Sequence, residues 1–175
     1  MEGKNVKLKT SDDKIYEVPD TILKKSILLK ELTTDNEGEV ITLKEVNEEC
    51  LKRVIEYLYH YKDFEPKEIP KPFPEITDAN FFRSILNDEW TFNFLNNLSI
   101  EDTINMVNAS NYLQIDGLIN LLSAKLAYEL INCSVEEAKQ KFQIPDDFPP
   151  NKIIFSKHIY ILIVSILLLV LLYYY

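Results

Sequence analysis

The chain has 175 residues, which is about the length of one domain with a single substantial core. It is acidic, because 28 Asp and Glu outnumber 19 Lys and Arg and leave a formal net charge of −9. This charge repels the phosphates of nucleic acid, so the composition argues against nucleic acid as a partner. Only three glycines occur, which excludes a glycine-rich loop that cradles phosphate.

The residue types that carry catalysis are not grouped in a catalytic pattern. Cys50 and Cys133 match no metal or redox spacing, and we expect buried, reduced thiols in a cytosolic protein. Residues 1–14 lack the apolar core of a secretory signal. His60 has no candidate nucleophile nearby in sequence, so we interpret it as a structural residue at a helix end. The sequence therefore favours a protein that is not an enzyme and needs no cofactor or metal.

The first third of the chain shows the pattern of a small sheet with helices. Residues 6–10 and 15–18 alternate apolar and polar side chains, which predicts a β-hairpin about a turn at residues 11–14. Two short helical stretches are expected between residues 20 and 32. Residues 40–43 then return as a strand.

A longer helix is predicted from Asn47, its N-cap, to about Tyr61. Its apolar residues follow the i, i+3, i+4, i+7 spacing of a buried face, and they are Leu51, Val54, Ile55 and Leu58. Residues 63–77 carry four prolines among charged residues and read as an extended connector, with a docking motif for proline-recognising domains as the alternative.

Helices are predicted in the second half of the chain. Trp90 and Phe94 lie four residues apart, so they share one face of a helix, where we expect core packing. The next helix is predicted to turn its apolar residues inward and to lead into Asn111 and Tyr112. Those apolar residues are Ile100, Ile104 and Val107.

Residues 111–130 are the most informative stretch. Asp116 is predicted to cap a helix whose first residue is Gly117. The apolar stripe of this helix is wider than one core contact requires, so we expect one side to pack on its own domain and the other to stay open to a partner helix. Ser134 and Glu137 then form a capping box for a short final helix.

The run S-N-Y-L-Q-I-D-G-L, from Ser110 to Leu118, resembles the A-N-Y-L-D-I-K-G-L signature of the S-phase-kinase-associated (Skp) family, the adapters of cullin-based ubiquitin ligases. The resemblance spans roughly residues 5 to 150. V-K-L-x-x-S-D-x-x-I-Y-E-V is similar to the first hairpin of that family and of the wider BTB/POZ fold. S-V-E-E-A-K-Q-K-F-Q-I-P-D-D-F resembles the family segment that completes the F-box surface. Gln114 and Asp116 depart from the family's usual Asp and Lys.

The resemblance implies an α+β protein with a BTB/POZ-like N-terminal half followed by an α-helical F-box-binding half. We accordingly divide the chain into four segments. These are a BTB/POZ-like first half (1–65), a proline-rich charged linker with a short helix (66–89), a Skp-type helical region (90–150) and a hydrophobic tail (151–175). The family works in the cytoplasm and nucleus, and we expect the same location here.

The function implied by the resemblance is that of a non-catalytic adapter, which links a cullin scaffold to F-box substrate receptors. Asn111 and Tyr112 are then expected to face the cullin N-terminal domain. The residues expected to contact F-box proteins are Leu118, Leu122, Val135, Ala138, Phe142, Ile144 and Phe148. The alternative is a membrane-tethered BTB/POZ module that self-associates and does not bind F-box proteins.

The tail departs from the family, which continues with an acidic run and a last amphipathic helix. Residues 159–175 carry no charge. As a helix, these seventeen residues would be ~25 Å long, near the short limit for crossing a hydrocarbon core of ~30 Å. The sequence leaves two interpretations open. Either the tail is an anchor that contacts the membrane through residues 159–175, or it is not a natural end of the protein.

Overall fold

The computed structural model describes residues 4–35, 38–70, 81–131 and 133–144. The described residues form two compact units. One is drawn from Met1–Pro66 and Asp102–Asn120, and the other from Lys67–Glu101 and Leu121–Tyr175. The segments predicted from the sequence follow chain order, whereas these units do not, because residues 102–120 group with the first part of the chain.

A three-stranded sheet opens the first unit. Strands β1 (Asn5–Lys9) and β2 (Ile15–Pro19) form the predicted antiparallel hairpin, and β3 (Val40–Thr42) pairs with β1 in parallel. The strand order is β2-β1-β3. Leu8 stands opposite both Tyr16 and Ile41, so these three side chains share one face of the sheet, where Leu8 and Ile41 are buried.

The helical elements follow in chain order. They are a 3₁₀ helix (Asp20–Lys25), α1 (Ile27–Asp35), α2 (Glu48–His60), α3 (Phe81–Leu86), α4 (Glu89–Asn96), α5 (Ile100–Leu113), α6 (Asp116–Leu130) and α7 (Val135–Lys141). Asn47 is the N-cap of α2 as predicted, since its side chain accepts a hydrogen bond from the Cys50 amide at 2.9 Å. The helix α1 extends past residue 32, where the second helical stretch was expected to end, and the Thr33 and Thr34 hydroxyls donate to the Lys30 carbonyl.

Both cysteines are free, as predicted. Cys50 is buried in α2, and burial, with the charges of Glu49 and Asp102, raises the pKa of its thiol to about 11. Cys133 is only half-buried, whereas burial was expected, and its thiol donates to the Glu129 carbonyl at 3.0 Å. A thiol with so high a pKa is almost entirely protonated at neutral pH, so Cys50 is an inert core residue.

The prediction for the inward face of α5 was wrong at two of its three positions. Val107 is buried, but Ile100 and Ile104 are only half-buried. The buried face is formed by Thr103, Met106, Val107, Ala109, Ser110 and Leu113. Ser110 enters the core because its hydroxyl donates to the Met106 carbonyl at 2.6 Å, so no polar group is left unpaired there.

The helices α3 and α4 belong to the second unit. Trp90 and Phe94 stack on α4 with ring centroids 5.0 Å apart, which confirms their predicted shared face. Phe94 is buried as expected, but Trp90 is only half-buried. Asp88 caps α4 and accepts from the amides of Trp90 and Thr91 at 3.3 and 3.1 Å. The Arg83 guanidinium lies over the Phe92 ring, 4.3 Å from its centroid.

Some predictions concern residues outside the described ranges. These are the linker residues 71–80, Phe148, and the hydrophobic tail with its predicted membrane contact through residues 159–175. Within the ranges that are described, no helix has both the length and the apolar character needed to span a membrane.

Candidate partner-binding surfaces

The end of α5 presents Asn111 and Tyr112 at a sharp turn, which we call the α5 corner and define as Asn111, Tyr112 and Gln114. Gln114 has φ of 54°, the left-handed conformation that ends a helix, and the Ile115 amide donates back to the Ser110 carbonyl at 3.0 Å. Asn111 is exposed and Tyr112 is half-buried. The amide of one side chain and the ring of the other are therefore available to a partner.

Ser26, which is fully buried, connects the end of α5 to the start of α1 through hydrogen bonds. The Ser26 hydroxyl donates to the Leu113 carbonyl at 2.5 Å and accepts from the Leu29 amide at 3.0 Å. One serine thus caps the first turn of α1 and satisfies a carbonyl left unpaired at the end of α5. Sequence reasoning missed this residue, although a serine directly before an apolar helical run is a recognisable N-cap signal.

Gly117, on the first turn of α6, is required by packing. A Cβ atom at this position would lie 2.7 Å from the Tyr57 Oη atom and 3.1 Å from the Pro66 Cγ atom. Tyr57 is buried, and burial is the main cause that raises the pKa of its phenol above the ordinary value. The glycine of the signature run therefore lets α6 start close to α2.

The helix α6 is more buried than the sequence predicted. It begins at Asp116, one residue before the expected start, and all seven residues from Leu121 to Ala127 are buried. Leu118 and Leu122 are both 0% exposed. They are core side chains, so neither leucine offers a surface to a partner. Ile119 and Leu130 of the same helix are half-buried.

The helix α6 is more buried than predicted because the residues between its leucines are buried as well. Ser123, Ala124 and Ala127 are small enough to be buried without contributing an apolar stripe. Lys125 is also buried, with its ammonium group 3.4 Å from the Glu129 Oε1 atom. A pattern that counts only large apolar residues underestimates how much of this helix is covered.

Among the residues predicted to contact F-box proteins, the described ones that reach the surface lie on and after α7. Val135 is 67% exposed, and none of the residues of α7 is buried. Three other predicted F-box-contacting residues are half-buried, namely Ala138, Phe142 and Ile144. We call Val135, Ala138, Phe142 and Ile144 the α7 face.

Polar contacts hold α7 in place. The predicted capping box is present, with the Ser134 amide donating to Glu137 at 2.8 Å and the Glu137 amide donating to the Ser134 hydroxyl at 3.2 Å. At the other end, the Lys141 ammonium group donates to the Glu129 carboxylate at 2.6 Å and to the Glu129 carbonyl at 3.3 Å. The capping box stabilises the first turn of α7, and Lys141 bonds the last residue of α7 to α6. These bonds stabilise a helix that has no buried residue.

The charges around Glu129 stabilise its ionised form. Burial alone would raise the pKa of this carboxyl, but the hydrogen bond from Lys141 and the positive charges of Lys125 and Lys141 outweigh burial. The pKa of Glu129 is therefore below its ordinary value, and the same hydrogen bond raises the pKa of Lys141. Both groups are charged at neutral pH, so the bond between them persists there.

His60 belongs to an aromatic cluster. Its ring lies edge-on to Tyr61 and Phe64, with centroid distances of 4.7 and 5.3 Å. Tyr57 and Tyr61 continue the cluster at 4.8 Å. In the part of the chain that the structure describes, no three His, Cys, Asp or Glu side chains are grouped so as to hold a metal ion. The contacts of His60 support a structural role.

Comparison with known proteins extends over both candidate surfaces. Residues 4–63, from β1 to the end of α2, match the family described as "Skp1 family, tetramerisation domain". The S-phase kinase-associated protein 1 homolog of Tetrahymena thermophila is 34% identical over 148 residues, which are 84% of this chain and 86% of that protein. The chain belongs to the Skp1 family.

Other relatives agree with this assignment. The suppressor of kinetochore protein 1 of Schizosaccharomyces pombe is 30% identical over 84% of this chain and 89% of its own length. The E3 ubiquitin ligase complex SCF subunit sconC of Talaromyces marneffei is also 30% identical, over the same shares of both chains. Membership of the Skp1 family confirms the resemblance and the predicted α+β fold with a POZ-type first part.

Proposed function

We propose that the protein is a non-catalytic adapter that links a cullin scaffold to F-box substrate receptors in an SCF-type ubiquitin ligase. The observation that carries the proposal is similarity along 84% of the chain to proteins named as Skp1 homologues and as SCF ubiquitin ligase subunits. An adapter of this kind binds two proteins at two surfaces and performs no chemistry itself. We expect it to act in the cytoplasm or nucleus.

The α5 corner is the proposed cullin-contact surface. Asn111 is exposed, so its amide is free to pair with a partner's backbone or side chain. Tyr112 is a rigid aromatic side chain of the type enriched at interface hot spots. Ser26 fixes the backbone on which both stand, and a surface ordered before binding loses little entropy when a partner docks.

The α7 face is the proposed F-box-contact surface. Val135 leaves most of its area in water, and Phe142 adds a half-buried ring. Burying such apolar area against a partner helix is favourable by about 25 cal/mol per Å². The proposed surface therefore contains fewer residues than the sequence predicted. Leu118 and Leu122 are core residues, and Phe148 lies outside the described residues.

A double substitution tests the cullin assignment. We expect Asn111→Lys with Tyr112→Lys to weaken binding of a cullin N-terminal domain by about 30-fold or more, since loss of a hot spot amounts to about 2 kcal/mol and an added charge must also be desolvated. Isothermal titration calorimetry with the full chain measures the effect. Asn105→Lys is the matched control, because Asn105 is also exposed on α5 but lies almost two turns earlier.

Equal affinities for the double variant and for the Asn105→Lys control would contradict the assignment of the α5 corner. The alternative is that the protein is a POZ module that self-associates and does not bind F-box proteins. It would gain support if the full chain formed stable oligomers and bound no F-box peptide at micromolar concentration.

A further inference from the structure

We propose that Ile27 supplies the apolar part of the cullin-contact surface beside the α5 corner. The inference rests on the proposed function, and it adds a residue from a part of the chain more than eighty positions away from Asn111. Asn111 and Tyr112 alone provide an amide and a phenol. Interfaces of specific complexes combine such groups with an apolar centre, and Ile27 fills that role here.

Hydrogen bonds place Ile27 at the α5 corner. The Ile27 amide donates to the Gln114 carbonyl at 3.3 Å, and the Gln114 amide donates to the Asn111 carbonyl at 3.1 Å. The residue before Ile27 is Ser26, whose hydroxyl donates to the Leu113 carbonyl. Two successive residues at the start of α1, Ser26 and Ile27, are therefore hydrogen-bonded to two successive carbonyls at the end of α5, those of Leu113 and Gln114.

The exposure of Ile27 contrasts with its surroundings. Ser26 and Leu29 are completely buried, yet the Ile27 side chain is 49% exposed. A single exposed isoleucine is ordinary on a protein surface and needs no explanation. Ile27 differs because its amide is hydrogen-bonded to Gln114 of the α5 corner, which places its exposed side chain on backbone that adjoins this corner. We therefore treat Ile27 and the α5 corner as one patch.

The patch is also rigid, which favours a protein partner over incidental exposure. Ser26 is a positioning residue, because it bonds both helices that carry the patch and is itself buried. The β-branched side chain of Ile27 has few rotamers to lose on binding. We assign the patch to one occupant, the cullin N-terminal domain.

A pair of matched substitutions tests this assignment. We expect Ile27→Lys to weaken the affinity of the full chain for a cullin N-terminal domain by about tenfold or more, because the ammonium group would have to be desolvated in the interface. Ile15→Lys is the control, since Ile15 is 59% exposed in the same compact unit but lies on β2. We expect the control to change cullin affinity by less than about twofold, as exposed substitutions outside an interface usually do.

The role of Ser26 needs a second pair. Ser26→Ala removes the bond to the Leu113 carbonyl, whereas Ser110→Ala removes a buried serine on α5 whose bond stays within that helix. We expect Ser26→Ala to weaken cullin binding and to speed amide exchange at Gln114 and Ile115. We expect Ser110→Ala to do neither at equal global stability, and Ser26→Thr, which keeps the hydroxyl, to restore both properties.

The possible results separate the two proposals. If the wild-type chain binds the cullin domain and Ile27→Lys behaves like Ile15→Lys, the assignment of Ile27 is wrong and the adapter function stands. If the wild-type chain binds no cullin domain, both are wrong. A change in self-association caused by Ile27→Lys, with cullin affinity intact, would assign the patch to a second copy of the chain and overturn the inference.

Discussion

At the scale of single residues, Ser26 and Tyr57 approach the end of α5 and the start of α6 from distant parts of the chain. Ser26 reaches Leu113, which is 87 positions later, and Tyr57 lies where any side chain at position 117 would have to go. Neither contact has a signature in the local sequence, because each joins elements that meet only in the folded chain. The partner-binding candidates Asn111 and Tyr112 could be named from the sequence, and the N-cap role of Ser26 could have been, but the bond from Ser26 to Leu113 could not.

Because of the packing at Gly117, we expect Gly117→Ala to destabilise the protein, although Gly→Ala in a helix usually stabilises it. In most helices Gly→Ala is stabilising by about 1 kcal/mol. Here the new Cβ atom would lie 2.7 Å from a buried phenol oxygen, so we expect Gly117→Ala to lower the free energy of unfolding by about 1–3 kcal/mol. Urea denaturation measures the difference.

Tyr57→Phe provides the control for this prediction. It removes the Oη atom that the Cβ atom would meet, so the penalty of Gly117→Ala should shrink or reverse in the Tyr57→Phe background. If Gly117→Ala lowers stability equally with and without the phenol oxygen, then the strain comes from elsewhere, for example from Pro66.

At the scale of helices and strands, the hairpin and α2 could be predicted because the spacing of their large apolar residues marks the buried side. Leu8 and Val18 are the buried positions of the two hairpin strands. Leu51, Val54 and Leu58 of α2 are fully buried, but Ile55, which was also predicted on the buried face, is half-buried. The pattern failed where small or hydroxyl-bearing residues form the buried face. Thr103 and Ser110 displace the isoleucines from the core side of α5, and Ala124 with Ala127 completes the cover of α6.

The position of α7 depends on a small number of contacts with α6. Glu129→Gln and Lys141→Gln each break the ion pair between α6 and α7, and we expect each to speed amide exchange across Val135–Lys141 by up to about fivefold, because a partly exposed ion pair contributes up to about 1 kcal/mol. The double variant should be no worse than either single variant. Additive effects in hydrogen exchange would show that the two side chains act independently.

The pH dependence of this attachment follows from the pKa shifts. The pKa of Glu129 is lower in the folded chain, so its contribution is complete above 4.5 and is lost as the pH falls through the folded value. The pKa of Lys141 is raised, so its contribution is complete below 10.5 and is lost only at higher pH. Glu137 also loses its contribution in acid, because its hydrogen bonds with Ser134 lower its pKa. Glu129→Gln should therefore reduce the acid sensitivity of α7 without abolishing it.

At the scale of the whole molecule, an adapter must hold two partners without making one contact depend on the other. The α5 corner lies in one compact unit, and the α7 face lies in the other. Substitutions at sites that share no partners usually have additive effects. We therefore expect substitutions at the two proposed surfaces to act independently of each other.

This separation predicts two independent losses of binding. Val135→Asp with Phe142→Asp should abolish measurable binding of an F-box peptide, because each carboxylate must be desolvated against an apolar partner, and should leave cullin affinity within about twofold. Asn111→Lys with Tyr112→Lys should do the reverse. Each double variant would be titrated with each partner, and Glu136→Gln would serve as the control for a changed charge on α7. If either double variant weakened both partners equally without a loss of stability, the two surfaces would not be separate and the bridging function would have to be abandoned.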